Sequence, residues 1–405
     1  MDYEDIGQGP AVAGEVQEFV ESEVLPVERE YLGSGPVPDA EIAALREEAR
    51  ERGLYAPQVP EEYGGLGLGF REMLPVFEEA GRSLLGPAAL RCAAPDEGNM
   101  HTIELAGTEE QKDRWLPALA RGEISSGFAM TEPSDGAGSD PKMLQTTAQK
   151  DGDEWVINGH KWWTTGGVDA DVLLTFARTD HDAHPYEGCS VILVPADTPG
   201  VEVIRGIPHM GETLEGTEHA EIRFNDVRVP VENTLGEEDE GFTLVQQRLG
   251  PARLTHCMRF AGMADRALDI ATAYLAERDG FGESMADKQG PRFDIADHRT
   301  SLHAVRTMVR HAAAQIDAGS EARIEVAMTK TYTANVVQDA IDSALQYCGG
   351  NGIGRDLPLA NFYENVRQFR IIDGADEVHK RSIAREAFSE PKTEELEAIT
   401  RYGEF

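Results

Sequence analysis

The stretch Trp155-Val-Ile-Asn-Gly-His-Lys-Trp-Trp-Thr-Thr-Gly-Gly167 lies in a region where apolar and polar residues alternate. A period of two residues is typical of β-strands with one buried face. Asn-Gly is the dipeptide that most strongly favours a two-residue hairpin turn, because a type I′ turn needs a positive φ twice. We therefore predict an antiparallel β domain with a hairpin that turns at Asn158 and Gly159.

Helical patterns flank this region on both sides. Apolar residues recur at helix spacing before it, as at Val16 and Val20, and in longer segments after it, as at Val305 and Val309. Breaks that contain Gly or Pro separate the later segments, as in a helical bundle. The predicted fold class is α+β, with an N-terminal helical domain at 1–124, a middle β domain at 125–238 and a C-terminal four-helix bundle at 239–405.

The chain is strongly acidic. Its 405 residues include 73 Asp and Glu against 37 Lys and Arg, so the formal net charge is −36. This charge excludes binding to nucleic acid or to an anionic membrane, since phosphate groups would be repelled. The charge is spread over all three regions, which favours adaptation to molar salt, where the Debye length is only about 3 Å. A docking face for a basic partner is the alternative.

The cysteines and the N-terminus indicate the compartment. Cys92, Cys189, Cys257 and Cys348 are far apart and form no CxxC pair, and the histidines form no HExxH motif, so neither disulfides nor a metal site is predicted. The first residues contain no basic and apolar leader, and no apolar run approaches the roughly 20 residues of a membrane helix. We expect a soluble, cytoplasmic protein without membrane insertion.

Two glycine-rich segments are candidates for ligand binding. Phe128-Ala-Met-Thr-Glu-Pro-Ser-Asp-Gly-Ala-Gly-Ser-Asp140 is either a polar turn or a backbone cradle for an electron-rich ring or a phosphate. Gln346-Tyr-Cys-Gly-Gly-Asn-Gly-Ile-Gly354 follows a helical pattern rather than a strand, which excludes a Rossmann fingerprint. A helix C-cap accounts for one or two of its glycines, and the others indicate close approach by a ligand or another chain.

The run Ile371-Ile-Asp-Gly-Ala-Asp-Glu-Val-His379 holds the candidate acid–base residues. An Asp before a helix with further acids in the first turn is typical of an N-cap. The alternative is a general base at the start of a helix. The residues alone leave both interpretations open.

Taken together, these segments resemble the acyl-CoA dehydrogenase family over nearly the whole chain and in the same order. Further matching motifs are Val59-Pro-Glu-Glu-Tyr-Gly-Gly-Leu-Gly67 and Glu277-Arg-Asp-Gly-Phe-Gly282. The family fold is a helical domain, a β domain and a four-helix bundle, as predicted above. Leu249-Gly-Pro-Ala-Arg-Leu-Thr-His-Cys-Met-Arg259 and the run that begins at Asp373 are most similar to the branch of family members ten and eleven, which act on longer acyl-CoAs.

The resemblance implies three sets of site residues, with FAD as the cofactor. The flavin end of FAD would contact Phe128, Met130, Thr131, Ser139, Trp163 and Thr165, with Ala375 and Glu377 near the cofactor. The pyrophosphate and adenosine would be held across a subunit interface of a homodimer or homotetramer by Arg278, Phe281, Gln289, Gln346, Gly349 and Gly350. The acyl-CoA would contact Ser139, Arg253 and Gly374.

The implied reaction is the α,β-dehydrogenation of an acyl-CoA thioester, with electrons passed to an electron-transfer flavoprotein. Asp373 would be the base for the α-proton and Glu377 the reserve. Most family members have Glu-Gly-Thr where this chain has Asp-Gly-Ala, and Ala252 occupies the position from which some members supply a base. Because free Asp titrates near about 3.9, we expect burial to raise the pKa of Asp373.

Two other functions fit the same resemblance. One is a flavin oxidase of the same fold that uses O₂, including nitroalkane oxidation, which also employs an Asp base. The other is a non-catalytic acyl-CoA-binding or assembly protein. The flavin loop is also two residues longer than the family's commonest form, so the correspondence from Ser134 to Ser139 is open.

Overall fold

The structure is a computed structural model that describes residues 4–133, 138–211 and 219–389. Helices, a β-sheet and a second group of helices follow one another along the chain, so the predicted α+β order is confirmed. The seven helices of the described N-terminal part are α1 Gly9–Phe19, α2 Leu25–Tyr31, α3 Asp39–Glu51, α4 Phe70–Ala80, α5 Gly86–Ala89, α6 Asp96–Ala106 and α7 Glu109–Ala120.

The start of α7 shows how the local sequence sets a helix boundary. Thr108 Oγ1 accepts a hydrogen bond from Gln111 N at 3.2 Å, and the Gln111 side chain accepts one from Thr108 N at 3.0 Å. This capping box satisfies two N–H groups that have no partner inside the helix.

The middle region is one mixed sheet in the order β6-β7-β3-β2-β4-β5-β8, with β1 beside β4. Most pairs are antiparallel as predicted, but β1 and β2 pair with β4 in parallel. The strands are β1 Ser126–Ala129, β2 Thr147–Asp151, β3 Glu154–Thr164, β4 Val172–Arg178, β5 Cys189–Pro195, β6 Val201–Gly206, β7 Ala220–Pro230 and β8 Thr234–Leu235.

The predicted hairpin turn at Asn158 and Gly159 is wrong. Strand β3 continues through both residues, and its pairing with β7 shifts there in a β-bulge. The Asn158 side chain bonds to Asp226 on β7, and a Cβ on Gly159 would lie 2.2 Å from Thr146 Oγ1. The real β2–β3 turn is at Gly152, where φ is +65°. Glycine is thus needed at 159 for close strand packing rather than for chain reversal.

Strands β4 and β5 each contribute to two apolar cores. On β4, Leu174 and Phe176 belong to a large core shared with the helices, whereas Leu173 and Ala177 belong to a smaller core of the sheet. Successive side chains of a strand point to opposite faces, so a strand with apolar residues at every position is buried on both sides. The sheet therefore has one face packed against the helices.

The C-terminal region is a bundle in which α10 packs against α8, α9, α12 and α13. Among the helices of the described residues, none combines the length and the apolar character that crossing a membrane requires. The elements are α8 Gly241–Glu277, β9 Asp279–Gly280, β10 Glu283–Ser284, α9 Gln289–Asp317, α10 Arg323–Cys348, α11 Gly350–Ile353, α12 Leu359–Gln368 and α13 Asp376–Ala387.

A network of ion pairs joins the N-terminal helices to the bundle. Arg82 lies 2.9 Å from Asp265 and 2.6 Å from Asp269 of α8, and Arg306 of α9 lies 2.5 Å from Glu78 of α4. Networks of this kind contribute more to folding stability than isolated surface ion pairs do. They use only a few of the carboxylates, which leaves a large negative excess on a chain of net charge −36.

That excess predicts a stability that rises with salt. We expect the thermal unfolding midpoint to increase by about 10 °C or more between dilute buffer and about 2 M KCl, because salt screens the self-repulsion of the native surface. The measurement is a calorimetric series in KCl, with sucrose of matched osmolality as the control. An unchanged midpoint in KCl would contradict salt adaptation.

Candidate active site

A cavity of about 200 Å³ lies where the sheet, the N-terminal helices and the bundle meet. Phe128 and Thr165 line it from the β domain, and Arg248 and His256 line it from α8. Asp373, in the segment between α12 and α13, completes the wall. Three residues singled out in the sequence thus meet at one cavity although they are far apart in the chain.

A second hollow, of about 330 Å³, lies on the other side of the segment from Ala93 to Pro95. It is lined by several carboxylates and by Arg91, which is paired with Asp96 at 2.8 Å. None of the predicted site residues lines it. We therefore place the candidate site in the smaller cavity.

The backbone at Asp373 and Gly374 is left-handed at both residues, with φ of +55° and +95°. A positive φ is costly for a residue with a Cβ and persists only where surrounding contacts hold it. Here Arg253 Nε donates to Asp373 O at 2.8 Å, and Lys330 Nζ donates to Gly374 O at 2.8 Å. His379 Nε2 also contacts Asp373 O, at 3.1 Å. The main chain is thus anchored while the Asp373 side chain lines the cavity.

The next helix is anchored by its own buried carboxylate. Asp376, the first residue of α13, accepts hydrogen bonds from Arg370 Nε at 3.0 Å and from Asn335 Nδ2 at 3.1 Å. Lys330 Nζ lies 3.7 Å from the same carboxylate, and both side chains are buried. Lys330 therefore links the first turn of α13 to the Gly374 carbonyl. The cap position of α13 is Ala375, so Asp373 is not the N-cap that the sequence also allowed.

The electrostatics of Asp373 differ from the sequence expectation. Burial raises the pKa of this carboxyl, but the neighbouring basic groups of His256, Arg253, Arg248 and Lys330 outweigh burial and hold the pKa below its usual value. The expectation that burial raises the pKa overall is therefore wrong, because the pKa of a buried carboxyl also depends on the basic groups around it. Its Oδ2 is buried without a hydrogen-bond partner among the described residues.

The two segments predicted to contact a flavin run side by side. Phe128 N donates to Thr165 O at 3.2 Å, and Trp162 N donates to Thr131 O at 3.0 Å. Ser139 is exposed nearby in sequence, beyond a gap in the described residues that contains Ser134. The pairing brings Phe128 and Thr165 to the same cavity wall.

A buried ion pair supports this wall from behind. Lys161 Nζ donates to Met130 O at 2.8 Å and lies 3.1 Å from Glu132 Oε1. Glu132 also accepts backbone hydrogen bonds from Gln145 and Thr146, both at 2.8 Å. Burial alone would raise the pKa of Glu132, but Lys161 and these hydrogen bonds keep it below its usual value. The pair is fully compensated and fixes the carbonyl of Met130.

An aromatic group forms the side of the site near the β domain. Trp163 has a φ of +51°, is 40% exposed, and contacts the ring edges of His209 and His219 at 5.9 and 5.7 Å. His219 lines the cavity, and its Nδ1 is buried without a hydrogen-bond partner among the described residues. Burial lowers the pKa of His219 to about 4, so the ring is neutral at neutral pH. An accessible aromatic face beside an unpaired polar atom fits a flat, hydrogen-bonding ring.

The residues predicted for the pyrophosphate and adenosine do not line this cavity. Tyr274 joins two of their segments, since its hydroxyl accepts from Arg278 Nη1 at 2.8 Å and from Asn351 Nδ2 at 3.3 Å. Phe281 is 98% exposed, and Glu377 is exposed on α13. The exposed members of this set also include Gln289, Gln346, Gly349 and Gly350.

Sequence reasoning missed three basic residues of the site: Arg248, His256 and Lys330. Arg248 is buried, donates from Nε to Asn99 at 3.0 Å, and places its guanidinium 3.9 Å from the centre of the Phe128 ring. Arg248 and His256 lie eight residues apart, about two helical turns, on the same face of α8. Charged residues at helical spacing within a buried apolar helix were the available signal.

The comparisons with known proteins cover all three regions. Residues 10–123, 127–227 and 239–388 match the N-terminal, middle and C-terminal domains of acyl-CoA dehydrogenase, respectively. The chain is 42% identical over 365 residues to the Mycobacterium tuberculosis protein named "Probable acyl-CoA dehydrogenase FadE2", covering 89% of this chain and 88% of that protein.

Two further comparisons concern a longer relative and a solved structure. Acyl-CoA dehydrogenase family member 11 of Gallus gallus is 39% identical over 394 residues, covering 93% of this chain and 50% of that protein. This chain therefore spans half the length of that relative. The structure of a glutaryl-coenzyme A dehydrogenase complex with glutaryl-CoA superposes with a TM-score of 0.86 at 30% identity, covering 97% of this chain and 98% of that one. On these matches and on its fold, the chain belongs to the acyl-CoA dehydrogenase family, which is a family of oxidoreductases.

Proposed function

We propose that the protein catalyses the FAD-dependent α,β-dehydrogenation of an acyl-CoA thioester to the trans-2-enoyl-CoA, with Asp373 as the base. One observation carries the proposal. The Asp373 carboxylate lines the same cavity as Phe128 and Thr165. A proton acceptor thus faces the wall that resembles a flavin site.

The residues present fit an FAD. Phe128 and Thr165 line the cavity, where His219 Nδ1 is an unpaired polar atom. Met130, Thr131 and Trp163 lie on the same paired segments, and the flavin end would lie against this edge. When bound, the flavin supplies a two-electron acceptor for hydride. The exposed set between α8 and α9, at the start of α9 and where α10 meets α11 would hold the pyrophosphate and adenosine. Since that set does not line this chain's cavity, we propose a homodimer or homotetramer in which each site uses two chains.

The reaction removes one proton and one hydride from the acyl chain. The Asp373 carboxylate takes the α-hydrogen as a proton, and the electron pair of that C–H bond forms the new double bond as the β-hydrogen leaves as hydride. Asp373 becomes a neutral carboxylic acid, so the protein's charge near the thioester becomes more positive by one unit. The cations Arg248 and Arg253, both of which interact with Asp373 electrostatically, then stabilise negative charge on the thioester oxygen.

The backbone of Asp373 has a donor left for the thioester. Its N–H donates to no group of the described residues, whereas its carbonyl is occupied by Arg253 and His379. A free N–H beside the base is suited to polarise a carbonyl oxygen and to make the α-hydrogen more acidic. Electrons then leave to an electron-transfer flavoprotein in this proposal.

A second candidate function shares the site. An oxidase that returns electrons to O₂, including one that acts on nitroalkanes, would also use a carboxylate base shorter than Glu, and this chain has Asp at 373. A non-catalytic acyl-CoA-binding role is disfavoured, because a binding protein has no need of a left-handed Asp anchored by Arg253, Lys330 and His379.

An anaerobic titration tests the reaction and the cofactor together. We expect the protein purified in high salt to show a flavin band that one length class of saturated acyl-CoAs bleaches. Slow reoxidation in air with rapid reoxidation by an electron-transfer flavoprotein supports the dehydrogenase, and rapid reoxidation by air supports the oxidase. Protein that stays colourless after FAD is added would contradict both.

The base assignment predicts a large loss for Asp373→Asn. Removal of a general base typically lowers kcat by about 10² to 10⁴, and Asn has a similar size but cannot take the proton. Glu377→Gln is the matched control, since Glu377 is four residues away and exposed, and we expect it to keep full turnover. Both variants are compared at equal FAD content. Full turnover by the Asn variant would refute Asp373 as the base.

The lowered pKa of Asp373 predicts the pH dependence of kcat/KM. A carboxylate with a depressed pKa stays ionised as pH falls, so the base remains competent well below neutrality. We expect kcat/KM to be flat between about pH 8 and pH 5 and to fall only near or below the ordinary Asp value of about 3.9. Circular dichroism at each pH separates this loss from unfolding. An acid limb near neutrality would show that the base has a raised pKa.

A further inference from the structure

We propose that His256 is a positioning residue for Asp373: when substrate is bound, its Nδ1–H is shared between the Ala252 carbonyl and Asp373 Oδ2, and it orients the carboxylate so that Oδ1 faces the substrate. The inference rests on the proposed function, in which Asp373 takes the α-proton. The motif from Leu249 to Arg259 contains His256, but neither the sequence analysis nor the mechanism above gives this residue a role.

The tautomer of His256 follows from its contact with its own helix. Nδ1 lies 2.8 Å from Ala252 O, one turn earlier on α8. A carbonyl oxygen can only accept a hydrogen bond, so Nδ1 carries the hydrogen. The same nitrogen lies 3.4 Å from Asp373 Oδ2. Nδ1–H is thus bonded to Ala252 O and lies beside Asp373 Oδ2 as a second acceptor within reach.

The ring is held in place by aromatic packing. It stacks on Phe369 with centroids 5.9 Å apart and an interplanar angle of 20°, and it contacts Phe260 at 6.0 Å. Such packing leaves the imidazole little freedom to turn away from the carboxylate. His256 is thus a rigid donor on the protein side of Asp373.

The carboxylate needs such a donor. Arg253, His379 and Lys330 bind the main-chain carbonyls of Asp373 and Gly374, so they fix the backbone and not the side chain. Oδ2 is buried and has no hydrogen bond within normal limits from the described residues. At 3.4 Å the His256 contact is long for a hydrogen bond. Catalytic hydrogen bonds are often long in the free enzyme and shorten when substrate closes the site.

The charge state of His256 suits this role. Burial and nearby Arg259 lower its pKa, Asp373 opposes both, and the result is a pKa of about 4. A neutral imidazole orients the carboxylate without adding a further full positive charge, so Asp373 can still accept a proton. The charged groups that face the pair from the packed elements are Arg248, Arg253 and Arg259 of α8, Lys330 of α10, His379 of α13 and Glu97 of α6.

Three substitutions separate positioning from packing. His256→Phe keeps the aromatic contacts and removes the donor. His256→Asn keeps an amide N–H near the position of Nδ1, and His256→Gln moves the amide one bond farther along the side chain. We expect Phe to lower kcat by about tenfold or more with KM changed less than about twofold, since hydrogen bonds to charged groups are the stronger ones. Asn should restore most of kcat, and Gln should not.

The pH profile provides a readout that packing alone would not change. A donor to the carboxylate stabilises its ionised form, so removing the donor raises the pKa of Asp373. The acid limb of kcat/KM should therefore move to higher pH in His256→Phe and return in His256→Asn. The matched control is His160, whose Nε2 lies 2.9 Å from Glu221 Oε1 outside the cavity. His160→Phe should change neither kcat nor the limb.

The outcomes distinguish this inference from the proposed function. An inactive Asp373→Asn together with unchanged kcat and acid limb in His256→Phe would overturn the role of His256 alone. Full activity of Asp373→Asn would overturn both. If His256→Phe does not fold, the Asn and Gln variants decide: equal kcat and equal acid limbs in these two would overturn the inference, and a higher kcat for Asn supports it.

Discussion

The site depends on the left-handed backbone at Asp373 and Gly374, because this conformation places the carboxylate at the cavity. Left-handed conformations at two successive residues are unfavourable, the more so at Asp, which has a Cβ. Their two carbonyls are compensated by Arg253 from α8, Lys330 from α10 and His379 from α13. Three elements of the bundle therefore hold one short segment, and the bundle must be assembled before the site exists.

The basic residues near this segment also set the pKa of the Asp373 carboxyl. Arg253 and Lys330 bind the backbone and lie close to the Asp373 side chain, and together with the basic groups of His256 and Arg248 they lower the carboxyl pKa although burial raises it. Lys330 also contacts the buried Asp376, so charge compensation is shared between the Asp373–Gly374 segment and the start of α13. The same charged residues thus hold the backbone in place and set the pKa of the base.

The long helix α8 connects this arrangement to the rest of the molecule. It contacts α4, α6, α9, α10 and strand β5, and it carries Arg248 and His256 on the cavity side. Its buried cations were not singled out from the sequence, because a one-dimensional pattern does not say which charged residue of a helix has a partner.

The turn predicted from the Asn-Gly pair at 158 and 159 was wrong for a related reason. Its turn preference is local, whereas pairing of β3 with β7 and packing against Thr146 are long-range contacts that prevailed.

The sequence by itself determined the α+β order, the family resemblance, and the segments that meet at the cavity, because periodicity and motif order are properties of the chain alone. Phe128, Thr165 and Asp373 were all identified in this way. Only the tertiary structure decided that Glu377 is exposed, that the pKa of Asp373 is lowered, and that His256 lies against its carboxylate. The physical reason is that burial, electrostatic potential and hydrogen-bond partners arise from residues distant in sequence, and these set what a carboxylate can do.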